Sequence, residues 1–303
     1  KKYVEDLEKK FNKFDCEKNL FIDEEYKINE LKNWFISPQL DWLNKKNIYP
    51  SAPFSHNAND EKISNFEKFK FFNNLFKEVL LDDKSLLVKL EKINIKERII
   101  SSGIIAPKNV IDIKEKELCK MRASLIEKID YLKNIERKYI KSGSNKEEYF
   151  MSNKNTVELL HSKLNLTKRL EIWIRLLFIS SLNDDIQKAI IIHRKDNEYK
   201  TSTLISPGKI KSNNLLIEYF KIYKNCSNNF LPIPPQSSFK YIEAIKNNKN
   251  PQKSFSETWL GIKNYIKGER EQPEMQICFG YDVEPDLFLS SKSFQNLSMK
   301  MYS

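Results

Sequence analysis

Ala189-Ile190-Ile191-Ile192-His193-Arg194-Lys195-Asp196-Asn197-Glu198-Tyr199-Lys200-Thr201-Ser202-Thr203-Leu204-Ile205 is where the chain changes period. An apolar run, a polar pair of turn-forming residues and a second run ending in Leu204-Ile205 read as a β-hairpin. Most of what surrounds it is helical. Upstream, Leu170 to Leu182 reads as a buried helix with Trp173 and Phe178. Ser142 to Asn155 is polar and reads as irregular, while Lys114 to Tyr139 carries a strong helical pattern. Leu86 to Ser101 reads as a helix stopped by Gly103. Phe66, Phe69, Leu75, Phe76 and Leu80 mark another, and Asn29 to Leu43 a third that Pro38 must bend or end.

Downstream, Asn213 to Asn225 returns to helix. Leu231-Pro232-Ile233-Pro234-Pro235 can continue neither a helix nor a central strand. A helix restarts at Ser237 and runs to Lys246, another surrounds Trp259, and Met275 to Phe279 reads as a short apolar strand ending at Gly280. Helices with a few strands make the fold class α/β or α+β. The expected organisation is one composite domain: a mainly helical part at 1–140, a flexible or incomplete connection at 141–169 and an α/β part at 170–303.

With 52 Lys and Arg against 41 Asp and Glu, the net charge is +11, which favours a polyanionic partner. Gly is scarce, at 6 residues, and Pro207-Gly208-Lys209 lacks the spacing and the following hydroxyl of a phosphate loop. An ATP-driven motor is therefore not expected here. Cys16, Cys119, Cys226 and Cys278 form no paired unit and read as buried thiols of a reducing compartment. No stretch is apolar enough to span a bilayer, and Lys1 to Lys10 holds no signal-peptide core, so no membrane partner and a cytoplasmic location are expected. A start at Lys1 without Met reads as an excised fragment.

Two sets of residues suggest chemistry. The first is basic. His193, Arg194 and Lys195 adjoin one another, Lys163, Lys168 and Arg169 lie near His161, and Trp42 precedes Lys45 and Lys46. Cations donate charge-assisted hydrogen bonds to phosphates, and an exposed aromatic beside them stacks on an unpaired base. The alternative for each is a solvated basic face or, for Trp42, core packing. The second set would suit a Mg²⁺-dependent nuclease: Glu198 and Lys200 share a strand face, and Asp184 and Asp185 lie upstream. Glu198 also reads simply as part of a turn. Glu269, Glu271, Glu274, Asp282, Glu284 and Asp286 read as a solvated or partner-facing strip.

Several strings, in order, resemble the C-terminal region of the exodeoxyribonuclease V gamma chain, the RecC subunit. They are Leu31-Lys32-Asn33-Trp34-Phe35-Ile36-Ser37-Pro38 with Trp42-Leu43, then Ile99 to Pro107, then Arg169-Leu170-Glu171-Ile172-Trp173. The most specific is Leu231-Pro232-Ile233-Pro234-Pro235-Gln236-Ser237-Ser238, followed by Trp259-Leu260-Gly261 and Phe279-Gly280-Tyr281-Asp282. Ile104-Ile105-Ala106-Pro107 lacks a following glycine, Gln236 replaces a basic residue, and no arginine precedes Gly280. Glu148 to Thr156 reads as too short for the hairpin this family would place there.

The resemblance implies a degenerate PD-(D/E)xK restriction-endonuclease-like core with extensive helical additions. It also implies a non-catalytic part without cofactors in a heterotrimeric helicase-nuclease for double-strand-break repair. The implied partners are RecB-like and RecD-like subunits and double-stranded or forked DNA, whose strands it helps to separate or guide. The residue-level rivals remain an active nuclease and a purely structural docking domain.

Overall fold

The computed structural model describes residues 27–50, 94–101, 108–132, 135–225, 231–262 and 266–302. They divide into two compact units: Lys1–Phe54, Gly143–Asn145 and Asn214–Ser303 form one, Ser55–Ser142 and Lys146–Asn213 the other.

The second unit is built on a five-stranded sheet in the order β1-β2-β3-β4-β5. Its strands are β1 (Ile135–Ser142), β2 (Asn145–Ser152), β3 (Asn155–Leu160), β4 (Lys188–Lys195) and β5 (Glu198–Ile205). β2 and β3 pair antiparallel, β3 and β4 parallel, and β4 and β5 antiparallel. The parallel pair needs a crossover, which the helix Leu166–Leu182 supplies.

Both sheet faces are covered. Following the helix Ile95–Ser101, Lys108–Asp130 lays a stripe of Leu118, Met121, Leu125 and Ile129 over one face. It packs there on Val157, Ile190, Ile192 and Tyr199. The crossover helix presents Ile172, Leu176 and Ile179 to the other face, against Tyr149, Ala189 and Ile191. Strand periodicity explains the division: Ile190 and Ile192 face one helix and Ala189 and Ile191 the other.

The helices are named in chain order from here: α1 (Ile28–Ile36), α2 (Pro38–Lys45), α3 (Ile95–Ser101), α4 (Lys108–Asp130), α5 (Leu166–Leu182), α6 (Lys209–Asn225), α7 (Pro235–Lys246), α8 (Pro251–Leu260), α9 (Pro273–Phe279), α10 (Asp286–Leu289) and α11 (Lys292–Tyr302). Gly261–Ile262 and Ile266–Lys267 form a two-stranded ribbon, and Glu269–Glu271 is a single 3₁₀ turn.

The first unit is helical, and its core is aromatic. Trp259 packs edge-on against Phe279 and Phe288, and Phe294 joins Phe255 and Phe288. The Trp259 indole N–H donates to the Val283 carbonyl at 2.8 Å, which satisfies its polar edge inside the cluster. At Gly268 a Cβ would lie 2.3 Å from the Trp259 carbonyl oxygen, so only glycine fits.

Polar anchors hold the proline-rich segment. Leu231 and Ile233 offer buried carbonyls, but Pro232 between them and Pro234 after them have no N–H to build a ladder. The buried amide of Gln39 donates to both carbonyls, at 2.7 and 2.8 Å. Pro235 opens α7, whose orphan N–H groups need an acceptor. Glu269 provides it, accepting from the Gln236 amide at 2.8 Å, the Ser237 amide at 2.7 Å and the Ser237 hydroxyl at 2.6 Å. Burial pushes its carboxyl up to about 7, against the downward pull of these donors.

Several expectations give way here. Ser142 to Asn155 is not irregular: it contains β2, bounded by the two-residue connections Gly143-Ser144 and Asn153-Lys154. Gly143 and Asn153 take the left-handed backbone that such tight turns need, with φ of 57° and 55°. Glu148 to Thr156 is accordingly long enough for a hairpin, in which Phe150 pairs with Val157. The helix expected to reach Tyr139 ends at Asp130, where its apolar stripe runs out, and Tyr139 lies in β1. Met275 to Phe279 is helical, started by Pro273 at its first position and stopped by Gly280 at φ 96°. Glu269 is buried, at 2 % exposure, and belongs to no solvated strip.

The expected hairpin is present in full, as are the helices at Asn29 to Leu43, Leu170 to Leu182 and Asn213 to Asn225. Pro38 sits at the first position of α2, where its missing N–H costs nothing. The helix expected at Phe66 to Leu80, the stop expected at Gly103, the turn expected at Ile104 to Pro107, and Cys16, Cys226 and His56 lie outside the described residues.

Candidate nucleic-acid interface

β4 and β5 pair so that His193 lies directly across from Lys200, and Leu160 of β3 lies across from His193 on the other side. These three form one row on the face that α5 covers. The neighbouring row, two residues along each strand, is Glu158, Ile191 and Ser202. The rows are about 7 Å apart at the usual rise per strand residue.

The His193 row gathers positive charge. Lys195 is two residues on, and Arg169 comes from the first turn of α5, whose start is capped by Asn165 accepting from the Lys168 amide at 2.9 Å. Lys195 and Lys200 are exposed. Burial pushes the His193 imidazole below its usual value. The Arg194 carbonyl opposes that, and the charges of Arg169, Lys195 and Lys200 add to it. His193 Nε2 lies 2.9 Å from the Ser202 hydroxyl. The four basic side chains therefore share one electrostatic neighbourhood, although α5 and the hairpin are separate in sequence.

The neighbouring row is neutralised. Arg175 of α5 ion-pairs with Glu158 at 2.9 Å and with Glu147 of β2 at 3.4 Å, and it donates to the Glu148 carbonyl. Both carboxylate side chains are only 12 % exposed. Two half-buried carboxylates of like charge would repel, and the guanidinium fork offsets that repulsion. On the exposed side of β2, Arg137 engages Glu148 and holds its carboxyl below the usual range.

The other basic candidates fare differently. Lys163 pairs with Asp196 at 3.2 Å, and Lys168 with Glu171 at 2.7 Å. Arg194 is buried, at 4 % exposure, on the α4 face beside His161 and Tyr199, so it presents nothing to a strand of DNA. His161 meets the Tyr199 hydroxyl at 3.0 Å, and burial followed by the Arg194 charge pushes its imidazole down to about 4. In the first unit, Lys45 pairs with Asp41 at 2.8 Å and lies 4.4 Å above the Tyr223 ring, with Lys46 exposed beside it. Trp42 is half-buried on α2.

The nuclease quartet is not brought together. Asp184 and Asp185 sit in the turn before β4, and Lys154 pairs with Asp185 at 3.4 Å. Glu198 lies opposite Lys195, at the far end of β4, and pairs with Lys120 at 3.4 Å. The eight residues of β4 separate the two acidic sets by about 25 Å. Among the described residues, no group of three or more His, Cys, Asp or Glu is placed to hold a metal ion. Cys278 is buried, and burial pushes its thiol up to about 12, as fits an inert structural cysteine. Among the described residues, no helix is long and apolar enough to cross a membrane.

Arg175, Gln39 and Glu269 were not singled out as positioning residues by sequence reasoning. Arg175 carried a usable signal: a lone arginine inside the apolar run Ile172-Trp173-Ile174-Arg175-Leu176-Leu177-Phe178 must find an anionic partner.

A family model described as the RecC C-terminal domain matches residues 23–246. No curated protein matches the chain. The matched span contains the whole five-stranded sheet, both clusters on its α5 face, and the proline-rich segment with its Gln39 anchor.

Proposed function

Because the chain belongs to the RecC C-terminal domain family, we propose that it is a non-catalytic, DNA-contacting and subunit-docking part of a helicase-nuclease assembly. Family membership supports a subunit-associated role, with RecB-like and RecD-like chains as partners. In this reading the sheet unit is a nuclease-like core that has lost its chemistry and guides or separates DNA strands in double-strand-break repair.

The observation that carries the reading is the contrast on one sheet face. Arg169, His193, Lys195 and Lys200 converge, while the nearby carboxylates are occupied by Arg175. Such a cluster suits sugar-phosphate contact, which positions a strand without reading its bases. A metal-dependent nuclease needs the opposite: carboxylates available to a cation beside the scissile phosphate. Trp42 on α2 and Lys46 just after it form a second candidate contact.

The test is binding of fluorescent forked DNA to the chain over a salt series, with and without Mg²⁺, followed by a gel assay for cleavage. The expected result is binding that weakens steeply with salt, with the DNA intact. Mg²⁺-dependent cleavage abolished by Glu198→Ala would replace this reading with the nuclease, and no binding at low salt would leave docking alone.

A further inference from the structure

We propose that DNA engaged at the His193 row binds together with a proton, taken up by the His193 imidazole, so that the contact tightens as pH falls. The inference rests on the preceding reading of that row as a phosphate contact and adds the state of its central residue.

The geometry prepares both nitrogens of the ring for a cation. Nε2 faces the Ser202 hydroxyl at 2.9 Å, and a hydroxyl oxygen accepts as readily as it donates. Nδ1 is turned toward the Arg194 carbonyl, a fixed acceptor 3.4 Å away. A doubly protonated ring thus has an acceptor on each side without rearrangement.

What opposes the cation is the surroundings. The ring is partly buried, and positive charge approaches it from three elements: Arg169 on α5, Lys195 on its own strand and Lys200 on β5. Asp196 is engaged by Lys163, Glu198 by Lys120, and Glu171 by Lys168, while Glu158 in the next row is held by Arg175. Arg194 itself points to the opposite sheet face, where its side chain is buried.

A phosphodiester anion placed among Arg169, Lys195 and Lys200 offsets part of their repulsion of the imidazolium. The imidazole is therefore more basic in the complex than in the free protein. Linkage fixes the sign: a group that holds its proton more tightly in the complex strengthens binding as pH falls from the bound value toward the free one.

The experiment uses the full chain and a short oligothymidylate at fixed low ionic strength. The chain has 3 histidines, so the ring-proton resonance of His193 can be assigned by its loss in His193→Gln. That resonance is titrated with and without DNA, and affinity is measured by anisotropy from about pH 8 to about pH 5.5. The expected result is a His193 titration displaced to higher pH by DNA, with affinity rising about tenfold over the range and the rise lost in His193→Gln. If DNA binds but the resonance titrates unchanged, or if the rise persists in His193→Gln, the proton linkage is wrong and the phosphate contact stands. If DNA does not bind at any pH, the contact and the linkage fall together.

Discussion

Two adjacent rows on the α5 face of the sheet handle charge in opposite ways. In the Glu158 row, carboxylates from β2 and β3 meet a single guanidinium, and all three side chains are largely withdrawn from water. In the His193 row, about one turn of pleat away, basic groups from α5, β4 and β5 accumulate, and the acids near them are engaged by other cations. The same strands and the same helix build both. The difference lies in how the charge is arranged: in the first row opposite charges meet within the chain, and in the second cations from three elements face one imidazole.

That contrast assigns different consequences to removing a cation from each row. The largest effect is expected at Arg175. Arg175→Ala leaves two half-buried carboxylates without their partner and should cost about 3 kcal/mol of stability, read as a lower denaturant midpoint. Adding Glu147→Gln and Glu158→Gln should recover most of the loss. If Arg175→Ala is as stable as the parent, the neutralised row is an exposed ion pair of little consequence and the comparison breaks.

Next comes the basic row. Arg169→Ala, Lys195→Ala and Lys200→Ala together should weaken DNA binding by about 100-fold at low salt. They should also reduce the dependence of log affinity on log salt by about 2–3 units, while stability shifts by less than about 1 kcal/mol. A stability loss as large as that of Arg175→Ala would mean that the row is structural after all.

Glu269 sharpens the comparison from the first unit, because its charge is met by the start of a helix and not by a cation. Its folded value of about 7 lies above the ordinary 4.5, so the folded state binds this proton more tightly than the unfolded chain does. Its contribution to stability is therefore fullest below about 4.5 and is lost as pH rises to about 7. Thermal melts from pH 5 to pH 8 should show that decline in the parent and a flatter profile in Glu269→Gln. The smallest effect is expected at Lys45→Ala, within about 1 kcal/mol, since it removes one i,i+4 ion pair that is still partly open to water.

The fold was legible where hydrophobic period is strong. Ile190 to Ile192, the turn at Asp196-Asn197 and the stripe of α4 all declared themselves. β2 did not, because Glu147 and Glu148 give it a solvated look that only Arg175 and Arg137, on other elements, make intelligible. Short apolar runs such as Met275 to Phe279 are ambiguous by period, and there Pro273 and Gly280 were the better guides.

The site was half legible. His193, Lys195 and Arg169 were singled out together with Arg194, which alternation sends to the opposite face, into the core. Lys200 was paired with Glu198 because residues two apart share a strand face. Cross-strand register, which local sequence does not contain, makes it the partner of His193. Gln39 and Glu269 act on a segment about 190 and 33 residues away, respectively, and no local pattern announces such a contact.

The most direct test of the central claim is the salt dependence of forked-DNA affinity for the parent chain beside the Arg169→Ala, Lys195→Ala, Lys200→Ala variant. A steep slope in the parent and a slope shallower by about 2–3 units in the variant would place phosphate at the basic row. Identical slopes in two equally stable proteins would contradict it and move DNA contact away from this face of the sheet.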